Sequence, residues 1–234
     1  TLMSFYHFKN TYSTYTRWRN WINSDSNIDS YINNYLIPFV NRYKNNPYLW
    51  CIDLMNEPDW VYEQADCGQI SWDRLQTYFA KASLAIHSNS SILTTVDMCM
   101  VKYMSNSWEG NKLSDSALAS KVGGDSRAKI DFYSPHHYDW MDSIFGNPHY
   151  MTPASYGMDT SKPALIGELP AKGTSGHTIT QDYESAYQNG WQGCMAWTSN
   201  GVDSNGSLTE LGAATRAFRD NHPQQLYWNG ETIW

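Results

Sequence analysis

Charge is scarce in this chain. Asp, Glu, Lys and Arg supply 17% of its 234 residues, with 16 basic against 23 acidic groups and a formal net charge of −7. No run of Lys or Arg occurs, which excludes the basic patch that a nucleic-acid binder needs. No apolar stretch reaches the length that spans a bilayer. Cysteines number four (Cys51, Cys67, Cys99 and Cys194), and no C-x-x-C pair occurs among them, so neither a zinc site nor a redox motif is expected. No linker, repeat or low-complexity segment divides the sequence, so a single domain over 1–234 is expected. A chain of this length buries roughly 70% of its unfolded surface and needs no staple to hold a core. It opens on Thr1 rather than Met, so it is expected to be a trimmed segment whose lack of a leader says little about the natural gene.

Neutral polar groups and rings fill the space that charge leaves. Aromatics reach 15%, with 11 Trp and 17 Tyr, while mean hydropathy is −0.59. Rings stack on the apolar faces of sugars, and amides and hydroxyls bond to sugar hydroxyls, so this balance suits a neutral, hydroxyl-rich ligand. Codon bias of the source accounts for it equally well. Asn89-Ser90-Ser91 and Asn205-Gly206-Ser207 match the glycosylation sequon, a weak signal.

Strand-like and helix-like segments alternate. Strands are expected at 2–8, 48–55, 91–96, 129–138, 163–169 and 193–199. From Ile28, the residues Tyr31, Ile32, Tyr35, Leu36, Phe39, Val40 and Tyr43 make one helical face, with a kink expected at Pro38. Ser71 is the expected N-cap of a helix carrying Trp72, Leu75, Tyr78, Phe79, Ala82, Ala85 and Ile86. Further helices fit 114–122, 180–190 and 208–221. Alternating βα units predict an α/β fold with a TIM-barrel-like parallel sheet, incomplete at about six βα units. In that architecture Cys67 and Cys99 lie in neighbouring loops, so a bridge between them is expected, and Cys51 and Cys194 read as buried thiols.

Glu57, Asp97, His136, Glu168 and Trp197 each follow the apolar core of a strand at its C-terminal end, where a barrel builds its active site. Glycoside hydrolysis needs two carboxyl groups flanking the scissile bond, one protonated and one ionised. Glu57 and Glu168 are the candidates. Asn56 suits a sugar hydroxyl, His136 and Tyr138 suit donors toward Glu168, and Trp197 suits a floor under the cleaved sugar.

These segments resemble glycoside hydrolase family 5. IDLMNEPDW (52–60) resembles its fourth strand with the Asn-Glu-Pro acid/base motif, and DFYSPHHYDW (131–140) its sixth, with His-x-Tyr at His136 and Tyr138. ALIGELP (164–170) is similar to its seventh strand with the nucleophile at Glu168, and CMAWTSN (194–200) to its eighth with Trp197 as sugar platform. The resemblance implies double displacement with retention, Glu168 attacking and Glu57 serving as acid then base, with no metal and no organic cofactor. It implies a secreted, endo-acting enzyme on β-1,4-linked plant polysaccharide, cellulose or β-glucan first and mannan second. The family's first two strands and its nucleophile-bonding Arg have no counterpart, since Arg17 and Arg19 lie after the third strand. His7 is near the place where the third strand offers a His to substrate, although Tyr6 also fits. The open seam suggests coverage by a second copy of the chain or by the tail, where Trp228 and Trp234 are expected to cover apolar surface.

Plainer readings compete. A non-catalytic sugar-binding module or inactive remnant fits the missing strands. Trp60 and Trp140 suit substrate stacking or rim packing, Trp18, Trp21 and Trp72 read as packing residues, and Asp97 reads as structural or as a rim acceptor. His136 and His137 are adjacent on a strand and point to opposite faces, which argues against a metal pair. His87 reads as ordinary helix surface, and GTSG (173–176) lacks the strand–Ser–helix setting of a hydrolase elbow.

Overall fold

The computed structural model describes residues 1–223, together with the backbone of 227–228 and 231–232. Contacts gather into two compact units, Thr1–Pro135 with Gly157–Pro163 and His136–Tyr156 with Ala164–Trp234. The boundaries fall inside short runs such as SPHHY, so no linker marks them in the sequence. No helix among the described residues is long and apolar enough to cross a membrane.

The first unit starts with three helices, α1 (Tyr15–Ile22), α2 (Asp25–Tyr31) and α3 (Ile37–Tyr43). The single helix expected from Ile28 to Tyr43 is thus divided by a π turn at Ile32–Leu36, in which the Ile37 N–H bonds back to Ile32 O. The wider turn admits Pro38, which has no N–H and would clash with a carbonyl of an ordinary helical turn. Next come β1 (Cys51–Asn56), α4 (Pro58–Glu63), α5 (Trp72–Asn89), β2 (Leu93–Met98), α6 (Asp115–Ala119) and β3 (Ser134–Pro135). The strands are parallel in the order β1-β2-β3, with Cys51 opposite Leu93 and Asp97 opposite Ser134.

The expected strand over 2–8 pairs only through its first residues. Leu2 N donates to Asp53 O and Asn56 N to Met3 O, each at 2.9 Å, and Ser4 bridges Asn56 in parallel. Ser4 then caps a 3₁₀ turn over Phe5–Phe8, with His7 reaching back to the Ser4 backbone. This capping box ends the strand. The strand expected over 129–138 is also short. The Asp131 carboxylate takes the Thr94 N–H at 2.7 Å, and Pro135 has no N–H to give.

Helix α5 begins at its expected Ser71 cap. Leu75, Tyr78, Phe79, Ala82 and Ile86 are buried on its inner face. Tyr78 Oη donates to Leu54 O at 3.0 Å, fastening the helix to β1. His87, on the same helix, is not ordinary surface. It lies 2.6 Å from Arg127 O and 2.9 Å from Asp131 Oδ2. Burial pushes its pKa down, but the Asp131 hydrogen bond leads the opposing causes and the net shift is upward.

The second unit holds α7 (Asp142–Phe145), β4 (Ile166–Pro170), α8 (Ile179–Gln188), β5 (Cys194–Trp197) and α9 (Leu208–Asn221). β4 and β5 are parallel, Leu169 opposite Ala196, and His136 forms a parallel bridge to Glu168. Helices α8 and α9 both start with capping boxes, Thr178 with Gln181 and Ser207 with Glu210. The backbones of β6 (Tyr227–Trp228) and β7 (Glu231–Thr232) pair in antiparallel fashion. The Trp228 side chain and Trp234 lie outside the described residues.

All four cysteines are free thiols, so the expected Cys67–Cys99 bridge is not formed. Cys67 instead points its thiol at Gln64 Oε1, 3.7 Å away. Cys51 and Cys194 are half-buried rather than fully enclosed.

Asp53 carries a pH signature. It is buried, and its Oδ1 accepts from Met55 N at 3.0 Å and Asp97 N at 3.1 Å. Burial, then the Asp97 carboxylate, push its pKa up to about 7 from 3.8. A carboxyl raised in this way contributes stability that is full below 3.8 and is lost as pH rises through about 7. Asp53→Asn keeps the acceptor and removes the charge. Its melting temperature relative to the parent is expected to rise progressively between pH 5 and pH 8; a difference independent of pH contradicts this.

Candidate active site

In the first unit the candidate residues cluster where β1 meets α4. Asn56 is the last residue of the strand and Pro58 the first of the helix, where its missing N–H has no role to fill. Glu57 lies between them with φ 53 and ψ 53. That left-handed backbone is unfavourable for a residue with a side chain, and such strain concentrates at functional positions. The Glu57 N–H donates to Asp97 O at 2.6 Å, which helps to hold the turn. Asp97 therefore serves this site through its backbone. Trp60 is half-buried on α4.

Two neighbours are not evident from the sequence. Asp59 is fully buried. Its Oδ1 accepts from Cys99 N at 3.1 Å and its Oδ2 from Met100 N at 2.7 Å, so it locks the segment after β2 onto α4. Burial first, then the nearby Asp59 and Glu57, hold the Cys99 thiol far above the ordinary thiol range. The thiol is thus neutral, not a nucleophile. Each has a local signal, an acid in the first turn of α4 and a cysteine just past a strand, but neither type is diagnostic without coordinates.

His7 belongs to the capping box of the turn over Phe5–Phe8. Ser4 N donates to its Nδ1 at 3.0 Å, and its ring lies 4.7 Å from Trp18. Arg19 is occupied by Phe8 O at 2.6 Å, Asn10 Oδ1 at 2.9 Å and Asp66 O at 2.5 Å, a role of structure.

In the second unit three predicted residues meet. Tyr138 Oη donates to Glu168 Oε2 at 2.8 Å, and His136 Nδ1 lies 3.3 Å from the same oxygen. His137 N donates to Glu168 O at 2.8 Å, continuing the parallel pairing. His136 and Tyr138 are two residues apart in extended chain and share a face, whereas His137 turns to Asp142 Oδ1 at 2.9 Å. The Glu168 side chain keeps 18% of its surface exposed, so the carboxyl group stays reachable. Trp197 is 39% exposed at the end of β5, with Nε1 donating to Asp203 Oδ2 at 3.3 Å. Trp140 is exposed in a 3₁₀ turn just beyond Tyr138.

Each unit thus places one acid at a strand end, Glu57 in a left-handed turn and Glu168 beside Tyr138 and His136. No family model matches the chain. The sequence is 29% identical over 199 residues to a mannan endo-1,4-β-mannosidase of Cryptopygus antarcticus, covering 75% of this chain and 51% of that protein. It is 24% identical over 217 residues to a mannan endo-1,4-β-mannosidase of Mytilus edulis, covering 84% and 59%. The chain thus spans little more than half the length of these relatives. The crystal structure of an endo-1,4-β-mannanase from Eisenia fetida superposes with a TM-score of 0.77 at 26% identity, over 87% of this chain and 62% of that one. The chain therefore has an α/β fold with parallel strands, shared with these mannanases.

Asp59→Ala is expected to lower the unfolding free energy by about 3 kcal/mol, because two buried N–H groups lose their acceptor. Urea denaturation measures this; a loss below about 0.5 kcal/mol, the range of ordinary surface substitutions, contradicts the assigned role.

Proposed function

We propose that this chain carries the catalytic machinery of an endo-acting β-1,4-mannanase that works by double displacement with retention. The observation that carries the reading is the convergence of Tyr138 and His136 on Glu168 Oε2. That arrangement suits an ionised nucleophile, and the Asn56-Glu57-Pro58 turn suits the acid/base. In this reading the two carboxyl groups face each other across one sugar at about 5–5.5 Å, the spacing of retaining enzymes. Glu168 attacks the anomeric carbon while Glu57 protonates the departing oxygen. Glu57 then takes a proton from water, which releases the sugar from Glu168.

The names of the relatives favour mannan over the cellulose or β-glucan that the motifs put first. Asn56 is assigned to a sugar hydroxyl, Trp197 to the platform under the cleaved sugar, and Trp60, Trp140 and His7 to flanking sugar contacts. The reading keeps a TIM-type barrel of about six βα units, with a second copy of the chain over its seam, and a secreted enzyme suited to a polymeric substrate.

Hydrolysis of soluble β-1,4-mannan and of carboxymethylcellulose tests the proposal. Mannan is expected to be the better substrate. Glu57→Gln is expected to lower kcat by about 10²–10⁴-fold, and Glu168→Gln by at least as much. Tyr138→Phe is expected to lower kcat at least about tenfold with little change in KM, since it removes a bond aimed at the reacting group. Parental turnover in both Glu variants overturns the assignment. Oligosaccharide binding by calorimetry without hydrolysis supports the non-catalytic reading.

A further inference from the structure

A second constellation of titratable groups lies in the second unit, outside the residues assigned to catalysis. His149 follows α7, His177 ends the loop after β4, and Asp182 lies in the first turns of α8. One ligand atom from each lies within 4.8 Å of the other two. Asp182 Oδ1 is 2.8 Å from His149 Nε2 and 3.7 Å from His177 Nδ1. The Asp182 side chain is 0% exposed and that of His149 4%.

An ordinary buried Asp–His pair does not account for this geometry. Asp182 Oδ1 and His177 Nδ1 are enclosed, yet neither has a hydrogen-bond partner among the described residues, and the 2.8 Å approach of His149 lacks hydrogen-bonding direction. Enclosed polar atoms left in that state are costly. The two imidazoles are also stacked, with ring centroids 4.2 Å apart and planes at 22°, so protonating both sets like charges face to face.

The outer atoms of Asp182 and His177 are engaged. Asp182 Oδ2 accepts from Thr174 N at 2.9 Å and from Thr174 Oγ1 at 3.3 Å, which turns Oδ1 inward. His177 Nε2 lies 3.1 Å from Tyr150 Oη, which turns Nδ1 inward. Thr174 Oγ1, which donates to Asp182 Oδ2, is also hydrogen-bonded to His149 Nε2 at 2.5 Å, a bond that a metal at this nitrogen would replace. Outer partners that orient inner ligand atoms are the support that metal-binding side chains use. The backbone cooperates. Gly173 has φ +94, and a Cβ there would come within 2.0 Å of His177 O, so the close turn that delivers His177 requires glycine.

We propose that His149, His177 and Asp182 bind a divalent transition-metal ion, zinc foremost. Two imidazole nitrogens and one carboxylate oxygen form a donor set of the type that zinc takes. Ligands of a tetrahedral zinc ion lie about 3.3 Å apart, given metal–ligand distances of about 2.0–2.1 Å. The observed separations bracket that value. This departs from the metal-free expectation of the sequence. The motif is invisible there because the ligands come from three segments with no recurrent spacing.

The ion would act as a clasp. Loop 173–178 is already stitched to the segment after Tyr138, with Ser175 N donating to Asp139 Oδ1 at 2.9 Å and Asn147 Nδ2 to Ser175 Oγ at 2.9 Å. A metal at His149, His177 and Asp182 ties the same two segments again. One of them follows Glu168 and the other follows His136 and Tyr138.

The test uses the full chain, stripped with EDTA and titrated with zinc chloride alone by calorimetry at pH 7.5. One zinc per chain is expected to bind with micromolar or tighter affinity and to raise the melting temperature by about 5 °C at saturation. Cobalt(II) is expected to give the visible absorption of a tetrahedral site. His177→Ala, at the most exposed ligand, and Asp182→Asn, which keeps the acceptor facing Thr174 N, are each expected to weaken zinc binding at least about 100-fold. Circular dichroism checks that both variants stay folded. No zinc binding by the stripped parent, or parental affinity in both folded variants, overturns the site.

Discussion

The Tyr138 hydroxyl and the His136 imidazole reach the same oxygen of Glu168, and that convergence rests on strand register. His136 stands opposite Glu168 in parallel pairing, and His137 N closes the ladder on Glu168 O. Extended chain sends alternate side chains to opposite faces, so His136 and Tyr138 share the Glu168 side while His137 turns to Asp142. A slip of one residue would exchange His137 for His136 and remove the tyrosine from the carboxylate altogether. A few backbone hydrogen bonds thereby decide which groups face the Glu168 carboxyl.

The other acid is held by a different device. Glu57 sits in a left-handed conformation between a strand and a helix that begins with proline. Such a backbone persists only when its surroundings over-determine it. Here they do so from two sides. Asp97 O takes the Glu57 N–H, and Asp59 anchors the segment after β2 to the first turn of α4. The buried carboxylate of Asp59 is matched by two N–H donors, which is how a group of that kind is tolerated in a core.

Local signals in the chain account for much of this. Each expected strand segment carries parallel pairing, and the helices at Trp72–Asn89 and Leu208–Asn221 start at recognisable caps. Periodicity and capping are local, so a single sequence displays them. The strand-end positions of Glu57 and Glu168, and the partnership of Tyr138 and His136 with Glu168, are legible for the same reason, aided by the family resemblance. The failures share a physical cause. The Ser4 capping box, the π turn that admits Pro38 and the Asp131 carboxylate that replaces ladder partners are each a choice between competing hydrogen bonds. Asp59, Cys99 and the His149–His177–Asp182 cluster owe their meaning to residues distant in the chain, and a local pattern carries none of that. The free thiols of Cys67 and Cys99 show the converse, an expected bridge resting on loop adjacency alone.

The central proposal is that Glu168 is the nucleophile, presented by its strand beside Tyr138 and His136. Covalent trapping addresses it most directly. The protein is incubated with a 2-deoxy-2-fluoro-mannobiosyl fluoride, digested and analysed by mass spectrometry. The account predicts one glycosyl ester per chain on the peptide that contains Glu168. An ester on a different carboxylate, or mannan hydrolysis that proceeds with inversion and leaves no adduct, would contradict it.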